Sequence, residues 1–172
     1  EAVSKLRDTA TSHERTFVVE VMGRDSGNLA LEAGIAIGAE SIIIPEIPHD
    51  INDVVAKLKR GQARGKKHSI ILVAEGAGNA SEIGEQIRQL AGMETRVIIL
   101  GHLQRGGSPS AFDAVLAGMM GAKAVDLLRE GATDMMTAYV NQEVVARPIE
   151  SAYGSRRQIN LQKYELAEIL AI

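Results

Sequence analysis

The hydrophobic positions of this chain form short continuous runs that alternate with longer amphipathic stretches. Runs rich in Val, Ile and Leu predict strands at Thr16–Val21, Ser41–Ile44, Ser69–Ala74 and Thr95–Leu100. Amphipathic or Ala-rich stretches predict helices at Glu1–Ala10, Gly27–Gly38, Ile51–Arg64, Ser81–Ala91 and Pro109–Arg129. Continuous apolar runs such as Thr95–Leu100 are typical of parallel strands covered on both faces. The alternation of strands and helices therefore predicts an α/β fold built from βαβ units around a parallel sheet.

Local signals mark the start of one predicted helix, whereas the pattern becomes less clear after Glu130. Asn52 or Asp50 is a natural cap for the helix at Ile51–Arg64. Beyond Glu130 we expect one strand near Thr137–Val145, a polar connection, and a short helix ending at Ile172.

Composition and charge narrow the class of protein. The 172 residues are enough for one large or two small domains, and a net charge of −3 argues against a nucleic-acid-binding role. The chain has no Cys, which excludes disulfides and thiolate metal sites and fits a reducing compartment. No apolar run is long enough to span a membrane and no signal peptide opens the chain, so we expect a cytoplasmic protein. Because the chain starts at Glu1 in helix-like sequence, we expect it to be a piece of a longer protein.

Candidate ligand groups directly follow two of the predicted strands. His102 and Arg105 lie in the glycine-containing segment GHLQRGGSPSAFD (101–113), and Met22-Gly23-Arg24 follows the strand at 16–21. Ligands in open α/β sheets bind beyond the carboxyl ends of the strands. The guanidinium group of Arg can donate two parallel hydrogen bonds to a phosphate. Taken singly, each of these residues also fits a structural role. Their combination at strand ends predicts a phosphate site.

A second group is basic and lies at the end of a predicted helix. Arg60, Arg64, Lys66, Lys67 and His68 follow one another within nine residues. Cations at a helix carboxyl terminus are favoured by about 0.3–1 kcal/mol each through the macrodipole, so a structural role and an anion site both remain open.

Several segments together carry a resemblance to a known family. RDTATSHER (7–15), VVEVMGR (18–24), RGKKHSIILVAEG (64–76) and ETRVIILGHLQRGGSPSAFD (94–113) resemble the carboxyl-terminal half of bacterial 6-phosphofructokinases, in order from about residue 5 to 130. The resemblance implies a parallel-sheet, three-layer α/β/α domain for sugar phosphate and effector, formed by residues 1–103 and 155–172. Residues 104–154 would belong to the first, ATP-binding domain, incomplete here, which would leave Val115, Leu116 and Leu128 exposed.

The resemblance also implies an activity and a set of site residues. The family transfers the γ-phosphate of ATP to the 1-hydroxyl of fructose 6-phosphate, with Mg²⁺, as a homotetramer. Arg24 would stabilise charge in the transition state. Substrate-binding positions would be Arg15, Met22, Gly23, Arg24, Glu75, Arg96, His102, Leu103, Gln104 and Arg105, with Arg15 and Arg96 reaching the sugar phosphate of a neighbouring subunit. The effector site, for ADP or phosphoenolpyruvate, would use Arg7, Gly38, Ala39, Glu40, Arg64, Lys66, Lys67 and His68, with Glu40 also meeting an effector-bound Mg²⁺.

The resemblance leaves one part of the activity outside this chain. The family's ATP loop and its catalytic base lie in the amino-terminal half, so we expect this chain to be inactive alone. The alternative is a non-catalytic α/β module that binds a phosphorylated ligand. A dinucleotide-binding domain is not supported, because no GxGxxG follows a predicted strand.

Overall fold

A computed structural model describes residues 1–10, 15–153 and 158–171. The strands are β1 Thr16–Val21, β2 Ser41–Ile43, β3 Ser69–Ala74, β4 Thr95–Ile99, β5 Met135–Val140 and β6 Glu143–Pro148. The helices are α1 Ala2–Ala10, α2 Asn28–Ile37, α3 Ile51–Ala63, α4 Ala80–Ala91, α5 Ala111–Arg129 and α6 Leu161–Leu170. Short 3₁₀ turns at Gly101–Gln104 and Ile149–Ala152 complete the described elements. None of the helices in the described ranges is long and apolar enough to cross a membrane.

The first four strands form one parallel sheet in the order β2-β3-β1-β4. Alternate side chains of β1 point to opposite faces: Phe17, Val19 and Val21 pack with α1, α2 and α6, whereas Val18 packs with α3 and α4. All six residues of β3 are buried. Each fully buried Val, Leu or Ile side chain contributes roughly 1.5–3 kcal/mol, so these two strands are the centre of the core. The predicted three-layer α/β/α fold is confirmed.

The ends of the elements follow local signals in the sequence. Asp50, rather than Asn52, caps α3, because its carboxylate accepts the N–H of Asn52 at 2.8 Å. Gly38 ends α2 in a left-handed conformation with φ 63°, which glycine adopts without steric cost. Most predicted boundaries therefore differ from the observed ones by only one or two residues. The helix end predicted at Ile172 lies outside the described residues.

Two sequence-based predictions are wrong. Among the strands of the described residues, the one at 95–99 pairs with β1 alone and lies at the edge, and Ile99 is 54% exposed, so this strand is not covered on both faces. The single strand expected near 137–145 is an antiparallel hairpin of β5 and β6. Its two-residue turn, Asn141-Gln142, has positive φ at both positions, the geometry of tight hairpin turns that Asn tolerates. A strand cannot continue through two such residues.

The described contacts divide the chain into two compact units. The first comprises Glu1–Arg105 and Ile159–Ile172, and the second comprises Gly106–Gln158. The boundaries drawn from sequence, at 103/104 and 154/155, lie within a few residues of these limits, although 154–157 fall outside the described residues. In the second unit α5 packs against the β5–β6 hairpin, and Phe112 meets Tyr139 edge to face at 5.8 Å. Val115 and Leu128 are 63% and 74% exposed and Leu116 is half-buried. The assignment of this unit to an ATP-binding domain stays a prediction.

Candidate functional site

The sheet places its main crevice between the carboxyl ends of β1 and β3. These strands are neighbours, yet β1 leads to α2 on one face and β3 leads to α4 on the other. Loops that leave adjacent parallel strands toward opposite faces open a crevice, and this topological switch point is where open α/β sheets bind ligands. The segment after β4 lies beside it, because β4 is the other neighbour of β1.

A cavity of about 610 Å³ lies at this edge and collects the strand-end residues. Its lining includes Met22, Arg24, Glu75, His102 and Arg105, all singled out from the sequence. The structure therefore brings together two carboxylates, Glu75 and Asp25, with two guanidinium groups and one imidazole from three strand ends. Sequence analysis missed three further lining residues, Asp25, Gly76 and Gly101, although each is adjacent in the chain to a residue that it identified.

The carboxylate of Glu75 holds the loop that follows β1. Its Oε1 accepts the backbone N–H of Arg24 at 2.6 Å and that of Gly23 at 3.0 Å. The N–H of Arg24, followed by that of Gly23, keeps the pKa of Glu75 below its usual value, since both favour the ionised form. The positive charges of Arg105 and Arg24 act in the same direction. Glu75 is therefore an anion at neutral pH, with Oε2 left to accept from a ligand.

The close approach of two loops depends on glycine. A Cβ on Gly76 would lie 1.9 Å from the carbonyl oxygen of Arg24, so no larger residue fits without a shift of the main chain. Arg24 itself has φ 49°, a left-handed conformation that costs a non-glycine residue roughly 1–2 kcal/mol. The loop after β1 is thus held in an unfavourable conformation by its neighbours, which is common at ligand sites.

The 3₁₀ turn after β4 carries the remaining predicted substrate residues. Gly101 has φ 45°, and the turn leaves His102, Leu103 and Arg105 exposed to the solvent. Leu103 is 85% exposed. Gln104 is half-buried and its Oε1 accepts the N–H of Met22 at 2.8 Å. Two side chains from different strand ends, Glu75 and Gln104, thus bind three successive amides of the loop at 22–24.

Arg15 and Arg96 lie near the opposite, amino edge of the sheet. Arg15 precedes β1 and Arg96 is the second residue of β4. Both donate to the same oxygen, Oε1 of Glu94, at 3.0 and 2.8 Å. The hydrogen bond from Arg96, followed by the charge of Arg15, keeps the pKa of Glu94 below its usual value. β1 has six residues at ~3.3 Å each, so the two edges are about 20 Å apart. One small ligand cannot contact Arg15 and Arg105 of the same chain.

The predicted effector residues also lie at the amino edge, where five of the eight line two cavities. Arg7 donates to the carbonyl of Ile37 at 3.1 Å, which places it beside the end of α2. Arg64 and Glu40 line a cavity of about 240 Å³. Lys66, Lys67 and His68 line a cavity of about 350 Å³ together with Arg15. Gly38 and Ala39 form the turn between α2 and β2.

Glu40 is the predicted metal ligand, and its carboxylate already has two partners. It is 4% exposed, its Oε2 accepts the N–H of Ile70 at 2.9 Å, and its Oε1 pairs with the ammonium of Lys66. A Mg²⁺ at Glu40 would compete with Lys66 for the same oxygen. Within residues 1–10, 15–153 and 158–171 no three His, Asp or Glu side chains converge as a metal site. These residues by themselves do not fit a Mg²⁺ site.

Two arginines, a histidine and two carboxylates at the switch point of an open α/β sheet are groups that suit a small polar or anionic ligand. Comparison with known proteins gives the family. A family model described as phosphofructokinase matches residues 1–128, and the chain belongs to the phosphofructokinase family.

The curated relatives have one description in common. The chain is 55% identical over all 172 residues to the ATP-dependent 6-phosphofructokinase of Brevibacillus brevis and 52% identical to that of Halalkalibacterium halodurans. In both cases it covers 54% of the relative's length. The chain therefore spans about half the length of the curated relatives it matches.

Solved structures agree with the fold. The phosphofructokinase of Saccharomyces cerevisiae superposes with a TM-score of 0.83 at 33% identity, over 98% of this chain and 23% of that one. A pyrophosphate-dependent phosphofructokinase from Marinobacter aquaeolei gives a TM-score of 0.80 at 19% identity, over 99% of this chain and 51% of that one, which shows the fold alone.

Proposed function

We propose that this chain is the acceptor-binding half of an ATP-dependent 6-phosphofructokinase. The reaction moves the γ-phosphoryl group of ATP to the 1-hydroxyl of fructose 6-phosphate and gives fructose 1,6-bisphosphate, a step of glycolysis in the cytoplasm. The observation that carries the proposal is the convergence of Arg24, Glu75, His102 and Arg105 on one cavity at the switch point. The descriptions of the relatives, whose matching segments are over half identical, supply the donor and the acceptor.

Each residue of the cavity has a chemical role in this proposal. His102 and Arg105 hold the 6-phosphate, since a dianion needs several fixed donors and Arg offers a planar pair of them. Glu75 accepts sugar hydroxyls through Oε2, because Oε1 is already bound to two amides. Arg24 also lines the cavity and would neutralise charge that develops on the transferred phosphoryl group. The base that activates the 1-hydroxyl, the ATP loop and the Mg²⁺ that accompanies ATP belong to the part of the relatives that this chain does not match.

The amino edge supports an assembly of several copies. Arg15 and Arg96 are about 20 Å from the cavity of their own chain, so they serve a substrate only if it is bound by a neighbouring copy. Both face one carboxylate, Glu94, and are thus close enough together to meet one phosphate. A homotetramer, as the family resemblance implies, would supply such a neighbour. The cavities with Arg64 and with Lys66, Lys67 and His68 would bind the phosphates of ADP or the phosphate of phosphoenolpyruvate as effectors.

Two experiments test the proposal. Calorimetry of the purified chain with fructose 6-phosphate should show saturable binding that Arg105→Ala abolishes. The matched control is Arg88→Ala, which removes the same charge from a residue paired with Glu85 on α4. A chimera in which this chain replaces the matching 172 residues of the Brevibacillus brevis relative should phosphorylate fructose 6-phosphate with ATP. A folded chimera without turnover, together with binding of unrelated phosphate esters by the chain, would favour a non-catalytic phosphate-binding module.

A further inference from the structure

Gln104 connects two segments of the site that are 82 residues apart in sequence. Its side-chain carbonyl oxygen accepts the N–H of Met22 at 2.8 Å. The neighbouring residues of the same turn, Leu103 and Arg105, are exposed, whereas Gln104 is half-buried against the loop after β1. This oxygen is an acceptor, so it holds the loop and cannot itself bind a phosphate, whose oxygens also accept; only the Nε2 amide group of Gln104 could donate to one.

The loop that receives this bond has one internal turn bond, from the N–H of Ser26 to the carbonyl of Gly23 at 3.0 Å, and is otherwise held by side chains from elsewhere. Arg24 has φ 49°, which is unfavourable for a residue with a Cβ. The N–H groups of Met22, Gly23 and Arg24 all bind side-chain oxygens, the first of Gln104 and the other two of Glu75. The position of the Arg24 guanidinium therefore depends on acceptors that come from the ends of β3 and β4.

We propose that Gln104 is a positioning residue, not a ligand of the sugar phosphate. It fixes the turn that carries His102 and Arg105 to the loop that carries Arg24. The inference rests on the proposed function, in which these two segments hold opposite ends of one substrate. The single hydrogen bond then sets the span between the phosphate-binding groups and the group that stabilises the transferred phosphoryl.

The coupling itself is tested in the purified chain, without a substrate. Gln104→Met keeps the length of the side chain and removes the acceptor, and Gln104→Glu keeps an acceptor oxygen. Hydrogen exchange at the Met22 amide should rise about fivefold in Gln104→Met, as expected for the loss of one neutral hydrogen bond, and stay unchanged in Gln104→Glu. Gln89→Met is the matched control, since Gln89 lies on α4 and pairs with Glu85. Unchanged exchange at Met22 in Gln104→Met would overturn the inference.

The consequence for transfer is tested in the chimera described above. Gln104→Met should lower kcat about tenfold with a change in KM of less than about threefold, because Arg24 is misplaced while His102 and Arg105 still hold the phosphate. Gln104→Glu should restore kcat, while its added negative charge next to Arg105 should raise KM, so KM is judged in Gln104→Met alone. A rise in KM with kcat retained would make Gln104 a substrate ligand and refute the positioning role. If the unsubstituted chimera has no turnover, the proposed function fails, and the exchange at Met22 still decides whether Gln104 holds the loop.

Discussion

Substitution of Gly76 by Ala is the sharpest perturbation of the site that the structure offers. Gly76 follows the carboxylate of Glu75, and its missing side chain faces the carbonyl oxygen of Arg24. An added Cβ would lie 1.9 Å from that oxygen, whereas ordinary contacts between such atoms are above 3 Å. The two loops must therefore separate by more than about 1 Å in Gly76→Ala, because the obstacle is main chain and not a flexible side chain.

The size of this shift decides its effect on the site. The Glu75 bond to the Arg24 amide is 2.6 Å long and that to the Gly23 amide is 3.0 Å long. A separation of more than about 1 Å takes both beyond hydrogen-bonding distance. Overpacking of this kind costs about 1–3 kcal/mol of stability. A displacement of about 1 Å at a group that acts on the transition state lowers the rate by about 10²-fold.

The assay compares stability and turnover in Gly76→Ala with those in a matched glycine variant. Gly61 lies in α3, and in Gly61→Ala the new Cβ would lie 3.7 Å from the side chain of Lys66 beyond the end of that helix, an ordinary contact. This control should gain about 0.5–1 kcal/mol, since Ala is the better helix former. Gly76→Ala should lower the melting temperature of the chain. It should also lower kcat of the chimera about 100-fold. Retention of kcat within twofold and an unchanged melting temperature would show that the contact at Gly76 does not position Arg24.

Three further predictions concern the two edges of the sheet. Two substitutions, Arg15→Ala and Arg96→Ala, should leave the affinity of the isolated single chain for fructose 6-phosphate within twofold of its original value. In an assembled chimera the same substitutions should raise KM about tenfold. Weakened binding in the monomeric chain would contradict the separation of the two edges. Lys66→Met should destabilise the chain by about 1–3 kcal/mol in a denaturant titration, because it leaves the buried carboxylate of Glu40 without its partly exposed cation; the variant Lys66→Arg should keep most of that stability. The carboxyl of Glu75 should titrate below the range of an ordinary Glu in a carbon-detected NMR experiment. Because the pKa of Glu75 is lowered in the folded state, its contribution to stability is complete above the ordinary pKa and is lost as the pH falls through the lowered one. Titration of Glu75 at or above the ordinary value would show that the two amides do not bind it in solution.

The sequence determined the layers of this protein and the composition of its site. Continuous apolar runs can be buried only between helices, so β1 and β3 were predicted to the residue. The strand ends were informative for a related reason. Parallel strands bring their carboxyl ends to one edge, so Arg24, Glu75 and His102 could be expected together before any coordinates were known.

Only the tertiary structure decided the order of the strands and the partners of individual side chains. The apolar run at Thr95–Leu100 does not say which neighbours it has, and it lies at the edge because α4 leads the chain across β1 to its far side. The turn at Asn141-Gln142 was missed because its strands are held by pairing with each other, which a local pattern does not contain. The same holds for the site. The hydrogen bonds from Met22 to Gln104, from Arg24 to Glu75 and from Arg15 to Glu94 join residues that are distant in sequence. Such contacts depend on strand order and register, and these are fixed by the packing of the whole unit and not by any one segment of the chain.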